Sequence, residues 1–390
     1  MTSRRYIVAT VLANTVVVQV ITYAYRPTLA YAALDAGGVA ALLGVMSAVF
    51  AVPALFLAIP AGRLVDTAGE RLLSVCGSLL VLASLAVALV FPISLAGLMV
   101  ATLLLGIGHL GCIVGQQTLV ANRARTGRSD SAFGWYTLAA SVGQVLGPLL
   151  LAIPGADPLR PPVQLILLLC LGLGVVLLAS AVILPRRGAP VSPIVTGNAW
   201  RAAADSLREK GTMRALVASG IALASVDITL VYWPALGDER NLAPTVISAM
   251  LVARALATMA SRGLLGWSTR RWGRRAVMMT TLASAAVALA ATTLPAPSYV
   301  LVAAAVAYGL GIGACQPLTM SWLSALAAPG QRGGILSLRL VGNRFAQSTI
   351  PAVAGLVAAP LGGAGVIAAV AVSLSVATWA GAAVPDGEPG

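Results

Sequence analysis

Twelve blocks of about 20 mostly apolar residues divide this chain, and a helix of that length crosses the ~30 Å hydrocarbon layer of a bilayer. They fall near residues 6–25, 39–61, 72–91, 95–115, 133–153, 163–184, 215–236, 245–262, 276–294, 299–322, 335–358 and 364–384. In lipid every backbone N–H and C=O needs a partner within the protein, which leaves α-helices and closed β-barrels. A barrel needs strands of about 10 residues that alternate apolar and polar, and these blocks do not alternate. The expected fold is therefore an all-α membrane protein with twelve transmembrane helices. Composition agrees on the solvent: 9% of residues are charged and 59% hydrophobic, against roughly 25% charged in soluble domains. The first block follows Arg4 and Arg5 but is long, polar at intervals and has no small-residue cleavage site, so it reads as a retained span.

A net charge of +13 would suit nucleic acid if it were gathered on one soluble face, but the basic residues sit in short loops on alternate sides of the spans. With the N-terminus inside, Arg4, Arg5, Arg63, Arg71, Arg123, Arg125, Arg128, the Arg186 to Arg214 stretch, Arg262, the Arg270 to Arg275 cluster and Arg332 all lie on the cytoplasmic side. Only Arg26, Arg160 and Arg240 fall opposite. This positive-inside bias, with an even number of spans, predicts both termini in the cytoplasm, with the lipid bilayer, and no nucleic acid, as partner; the expected location is the cytoplasmic membrane of a bacterial cell. The four cysteines, Cys76, Cys112, Cys170 and Cys315, lie within apolar blocks without CxxC spacing and read as small core residues.

The longest polar interruption, Pro185 to Arg214, divides the chain into an N-terminal six-helix bundle (1–184), a cytoplasmic linker (185–213) and a C-terminal six-helix bundle (214–390). Within it, Trp200 to Lys210 suits a short surface helix or an ordinary solvated linker. The two halves echo each other. Gly62, Gly69 and Arg71 map onto Gly266, Gly273 and Arg275 at a shift of 204, and GIGHLGC (Gly106 to Cys112) maps onto GLGIGAC (Gly309 to Cys315) at 203. Gln144 and Pro148 map onto Gln347 and Pro351, again at 203. Matches at nearly one shift point to a duplicated six-helix unit and two pseudo-symmetric bundles.

These residues resemble a known family. Gly62, Asp66, Gly69 and Arg71 look like the loop signature that joins the second and third helices of the major facilitator superfamily, and its echo falls between the eighth and ninth. GQVLGP (Gly143 to Pro148) resembles the fifth-helix signature of that family's proton-coupled drug exporters, and GACQP (Gly313 to Pro317) the tenth-helix pattern of many bacterial members. The resemblance covers the whole chain and implies two bundles rocking around a central cavity. In the same way it implies that the Gly62, Asp66, Gly69 and Arg71 stretch is a cytoplasmic gate, closed in the outward-open state and broken for inward opening. Departures accompany it: Thr67 replaces the basic residue after the signature Asp, Arg270 replaces the Asp in the second copy, and Leu151 and Ala152 replace the small pair after GQVLGP. The fourth-helix Arg that the family links to proton coupling is Thr102 here. From the residues alone, Gly62 and Gly69 suit a tight turn and close backbone approach, and Asp66 suits a helix N-terminus.

Ionisable groups at membrane depth cost a few kcal/mol and are functional candidates. Asp227 lies near the middle of the seventh span, Arg254 in the eighth and Arg344 in the eleventh. Three readings stay open: a network with a spare positive charge for an anionic cargo, Asp227 as the carrier of the coupled proton, or a structural Asp–Arg pair. Polar stripes mark helix faces turned from lipid: Thr15, Gln19, Tyr23 and Arg26 in the first span, Arg339, Asn343 and Gln347 in the eleventh. Gln144, Gln316, Trp233 and the sole histidine, His109, complete the candidates for a substrate and proton pathway.

GIGHLG fits the GxGxxG dinucleotide pattern but lies inside a span with no strand before it, so helix packing explains it better. No GxxxxGK[ST] occurs, and no motif for a metal or a catalytic nucleophile. The expectation is a monomeric secondary transporter without cofactor, not an enzyme. It would export small amphipathic compounds or metabolites, a small-molecule substrate, with protons as the coupling ion. The alternatives are a proton-linked importer or facilitator of a small, possibly anionic solute and, remotely, a membrane enzyme or receptor.

Overall fold

The computed structural model describes residues 2–123, 129–184, 211–326 and 332–382. The candidate surface helix Trp200 to Lys210 lies outside them. Among the described residues there are thirteen α-helices and no strand. They are α1 (Thr2–Asp35), α2 (Ala40–Ala68), α3 (Glu70–Val90), α4 (Leu95–Arg123), α5 (Ser129–Leu146), α6 (Val163–Ile183), α7 (Thr212–Glu239), α8 (Pro244–Trp272), α9 (Arg274–Ala291), α10 (Ser298–Gly313), α11 (Cys315–Leu326), α12 (Arg332–Ala358) and α13 (Gly362–Gly381). Ser298–Leu323, which takes in α10 and nearly all of α11, is one span, so twelve segments cross the membrane. Ten are long and apolar enough by composition alone. The other two are α9, which opens on Arg274 and Arg275, and α12, which carries Arg339 and Arg344.

Packing shows which solvent each helix meets. On α6 the buried residues Ile166, Cys170, Gly174, Leu177 and Ala181 recur every three or four positions, one face of a helix. The opposite face exposes Leu165, Leu168, Val175, Val176 and Ile183. A helix that is apolar on its outer side as well as its inner one is built for lipid. By contrast α7 is enclosed almost all round, with every residue from Asp227 to Gly237 buried.

The duplication is physical as well as textual. Gly69 separates α2 from α3 with φ +88°, and Gly273 separates α8 from α9 with φ +82°. Only glycine takes that backbone conformation without strain, so one residue breaks the helix in each copy. At Gly106 on α4 a Cβ would lie 2.4 Å from the Phe50 carbonyl oxygen of α2, and at Gly309 on α10 it would lie 2.3 Å from the Arg254 carbonyl oxygen of α8. The next pair repeats the pattern: Gly108 packs on the Gly77 carbonyl of α3, Gly311 on the Thr281 carbonyl of α9. Each contact recurs at the shift of 203 or 204 found in the sequence. The glycines of GIGHLG are thus helix-packing residues.

The chain forms two compact units, one of residues 2–39, 49–184 and 240–248, the other of 40–48, 211–239, 249–326 and 332–382. The first turns of α2 therefore belong with the C-terminal helices. There Tyr232 Oη donates to the Ala40 carbonyl at 2.7 Å, and Gly44 lies against the Pro351 carbonyl of α12. The first residues of α8 belong with the N-terminal helices, where Ser248 Oγ donates to the Pro148 carbonyl at 2.8 Å. Gly44 and Ser248 correspond at 204, and Pro148 and Pro351 at 203. Like the core, this exchange of helix ends obeys the repeat.

Gly309→Ala should lower the thermal unfolding midpoint of the purified protein, because the added methyl overpacks α8 against α10 at a cost of about 1–3 kcal/mol. Gly172→Ala, where nothing lies within 4 Å, should be neutral or slightly stabilising through helix propensity. Equal midpoints for the two variants would contradict the packing role.

Candidate transport site

Each unit buries its own polar cluster, and the two differ in charge. In the C-terminal unit Asp227 lies mid-way along α7, 8% exposed. Gln347 of α12 donates from Nε2 to Asp227 Oδ2, while its Oε1 accepts from Arg344 Nη1 at 3.1 Å. The amide thus links a carboxylate on one helix to a guanidinium on another, each of its ends matched to the right charge. Arg339, Asn343 and Gln347 recur at four-residue intervals, and all three are buried, as their stripe predicted. Arg339 donates through Nη2 to the side-chain and backbone oxygens of Gln316 on α11. Gln316 Nε2 in turn donates to the Ser219 carbonyl of α7 at 3.3 Å, so the polar face of α12 ties α7 and α11 together. Arg254 is 1% exposed on α8. Trp233 is fully buried, edge-on to Tyr308 at 6.1 Å, and Tyr308 Oη shares a 2.8 Å hydrogen bond with Ser225 Oγ.

In the N-terminal unit the predicted residues meet aromatic rings. The Arg26 guanidinium lies 4.2 Å from the centroid of the Phe50 ring, whose centroid is 5.5 Å from that of His109. This stack joins α1, α2 and α4 by cation–π and ring contact. Arg26 lies inside α1, which runs on to Asp35, past the apolar block that marked it. Arg160 is the residue at that end, its Nε 3.2 Å from Asp35 Oδ1. Gln19 and Tyr23 lie where α5 presses on α1: a Cβ at Gly143 would stand 2.5 Å from Gln19 Cβ, and one at Gly147 2.8 Å from Tyr23 Cβ. The glycines of GQVLGP are thus an α1–α5 contact, and Gln144 between them is half-buried. Thr102 is buried and bonds back to the Leu98 carbonyl of its own helix at 2.8 Å, so this position carries no charge.

Sequence reasoning missed the main hydrogen-bonded network of this unit. Gln116 Nε2 donates to Asn14 Oδ1 at 2.7 Å, and Asn14 Nδ2 reaches the Leu177 carbonyl at 3.1 Å and Ser180 Oγ at 2.7 Å. Two amides at membrane depth were the available signal. Asn14 lies one position off the stripe through Thr15, and the residues three and four positions from Gln116 are Cys112, Ile113, Leu119 and Val120. In the predicted gate stretch, Gly69 makes the break and Arg71 is half-buried in the first turn of α3. Gly62 differs from expectation: it lies inside α2 with nothing within 4 Å, so no close approach requires it. Asp66 is in the last turn of α2, and its side chain is outside the described residues. Glu70, not singled out before, opens α3 almost fully buried and accepts from Asn122 Nδ2 at 2.6 Å.

Comparison with known proteins now has a geometry to explain. The sequence profile of the Major Facilitator Superfamily matches residues 11–225 and 215–389, once in each half. The chain belongs to the major facilitator superfamily. A nucleoside transporter, NupG, superposes on this superfamily member with a TM-score of 0.80 at 13% identity, covering 97% of this chain and 99% of that one. A peptide transporter, POT, gives 0.74 at 17% identity, with 97% and 93% covered. The human organic anion transporter MFSD10 gives 0.65 at 16% identity, with 97% and 99% covered. At such identities the likeness concerns the fold. No curated protein sequence matches the chain. As a member of the superfamily, the protein is a secondary transporter embedded in a lipid membrane.

Gln347→Leu removes one donor to Asp227 and one acceptor for Arg344 together, and should cost about 1–3 kcal/mol of stability. In a thermal denaturation cycle, Gln347→Leu combined with Asp227→Asn should be less damaging than the two single effects added, because the sites share one bond.

Proposed function

We propose that this transporter is a proton-coupled exporter of small amphipathic compounds or metabolites, working by alternating access with Asp227 as the proton carrier. The observation that carries this reading is a single buried carboxylate mid-way along α7, bonded to the Gln347 amide that also holds Arg344. When Asp227 is ionised it attracts both the amide dipole and the cation behind it, and these hold α7 to α12. A proton on Asp227 removes that charge and weakens the link, so protonation and helix movement are coupled through one side chain. A proton gradient directed into the cell then supplies the energy for moving cargo out. The reading places both termini on the cytoplasmic side of a bacterial cytoplasmic membrane, makes the monomer the working unit, and requires no chemical change in the cargo.

Reconstituted vesicles with an imposed pH gradient test it. Wild-type protein should move cargo against the direction of proton flow. Asp227→Asn should lose gradient-driven accumulation while keeping cargo exchange at equal pH. Accumulation retained by Asp227→Asn would remove Asp227 from the coupling step, and cargo moving with the protons would make the protein an importer.

A further inference from the structure

We propose that Arg339 is the docking point for an anionic group of the cargo, a carboxylate or a phosphate or phosphonate. The inference rests on the transport reading above and names the chemistry of what is carried. Arg339 is 5% exposed on α12, within the membrane-spanning part of the C-terminal unit. A guanidinium stays protonated and needs negative charge or several good acceptors when taken out of water. The acceptors it has are neutral, the side-chain and backbone oxygens of Gln316, and both are taken by Nη2. Its Nε is buried without a partner, and no carboxylate among the described residues pairs with it.

Two further groups nearby in the fold are in the same condition. Asn343, one turn along the same face of α12, is 3% exposed with Oδ1 unpartnered. Ser219 of α7, whose carbonyl takes the Gln316 amide, is fully buried with Oγ unpartnered. Buried polar groups normally find partners, so one open guanidinium N–H with an open amide oxygen and an open hydroxyl on adjoining helices describes a binding site. The planar edge of Arg suits a carboxylate or phosphate, and the amide and hydroxyl suit the neutral polar atoms beside it.

The site is separate from the proton carrier. Gln347, which binds Asp227, is eight residues further along α12, about 12 Å at 1.5 Å per residue. The cargo anion and the Asp227 carboxylate therefore do not compete for one cation. Arg339 also lies toward the Arg332 end of α12, the end predicted to be cytoplasmic, from which an exporter loads.

The test uses four probes that share a benzene ring and differ in the head group: benzoate, phenylphosphonate, benzamide and benzylamine. Binding to the purified full-length protein is read by the thermal unfolding midpoint and by calorimetry. At least one of the two anions should stabilise the wild type saturably, with its identity separating carboxylate from phosphonate recognition, and the neutral and cationic probes should not. Gln316→Glu keeps the side-chain shape but places a carboxylate on Arg339. It should leave the protein folded and weaken anion binding about tenfold or more, as expected for loss of a charge-assisted contact. Arg339→Gln should do the same, and Arg339→Lys should retain part of the affinity. A wild type indifferent to both anions, or a folded Gln316→Glu that binds them as tightly as wild type, overturns the proposal. These measurements use no gradient. Failure here with pH-driven cargo movement intact overturns the anion site alone, and anion binding without any cargo movement overturns the transport reading alone.

Discussion

The hydrocarbon layer offers no water to a polar group, and the rest of this structure depends on that constraint. The backbone satisfies it by remaining helical through twelve spans, with glycine at the corresponding breaks Gly69 and Gly273, where φ is positive. Helices that are apolar on both faces gain little from hydrophobic segregation, so close van der Waals approach must hold them. Glycines supply it: Gly106 and Gly108 in one copy, Gly309 and Gly311 in the other, each set against the carbonyls of the neighbouring helices.

The same constraint makes each buried charge informative. The two copies keep corresponding helix contacts but differ in the residues they bury. At the position where one copy has Asp227 the other has Tyr23, and Gln347 is matched by Gln144. The N-terminal unit buries amides, hydroxyls, Glu70 at the start of α3 and Arg26 against Phe50, whereas the C-terminal unit buries Asp227 with Arg254 and Arg339 and half-buries Arg344. Duplication supplied the scaffold, and divergence changed which charged groups each copy buries. Charges held in low dielectric act strongly on one another, so each of these differences changes the chemistry of its copy.

Much of the arrangement could be read before any coordinates. Block length and the absence of alternation implied helices, the shift of 203 to 204 implied the repeat, and the four-residue spacing of Arg339, Asn343 and Gln347 implied a buried face. Other parts could not. The end of α1 was hidden, because an apolar block marks where lipid begins, while the helix itself runs on to Asp35. The Asn14 to Gln116 bond joins residues 102 positions apart, a pairing that local period does not reveal.

What the amino-acid sequence determined by itself was the solvent, the helices and the repeat, because these follow from segment length and local period, which each stretch of chain carries within it. The tertiary structure alone decided which polar residues meet. Only there does Gln347 lie between Asp227 and Arg344, and only there is Arg339 left with neutral oxygens as its partners. The physical reason is that hydrogen bonds reach about 3 Å, and the rotation of each helix about its axis, which brings two side chains within that distance, is set by packing against several neighbours together.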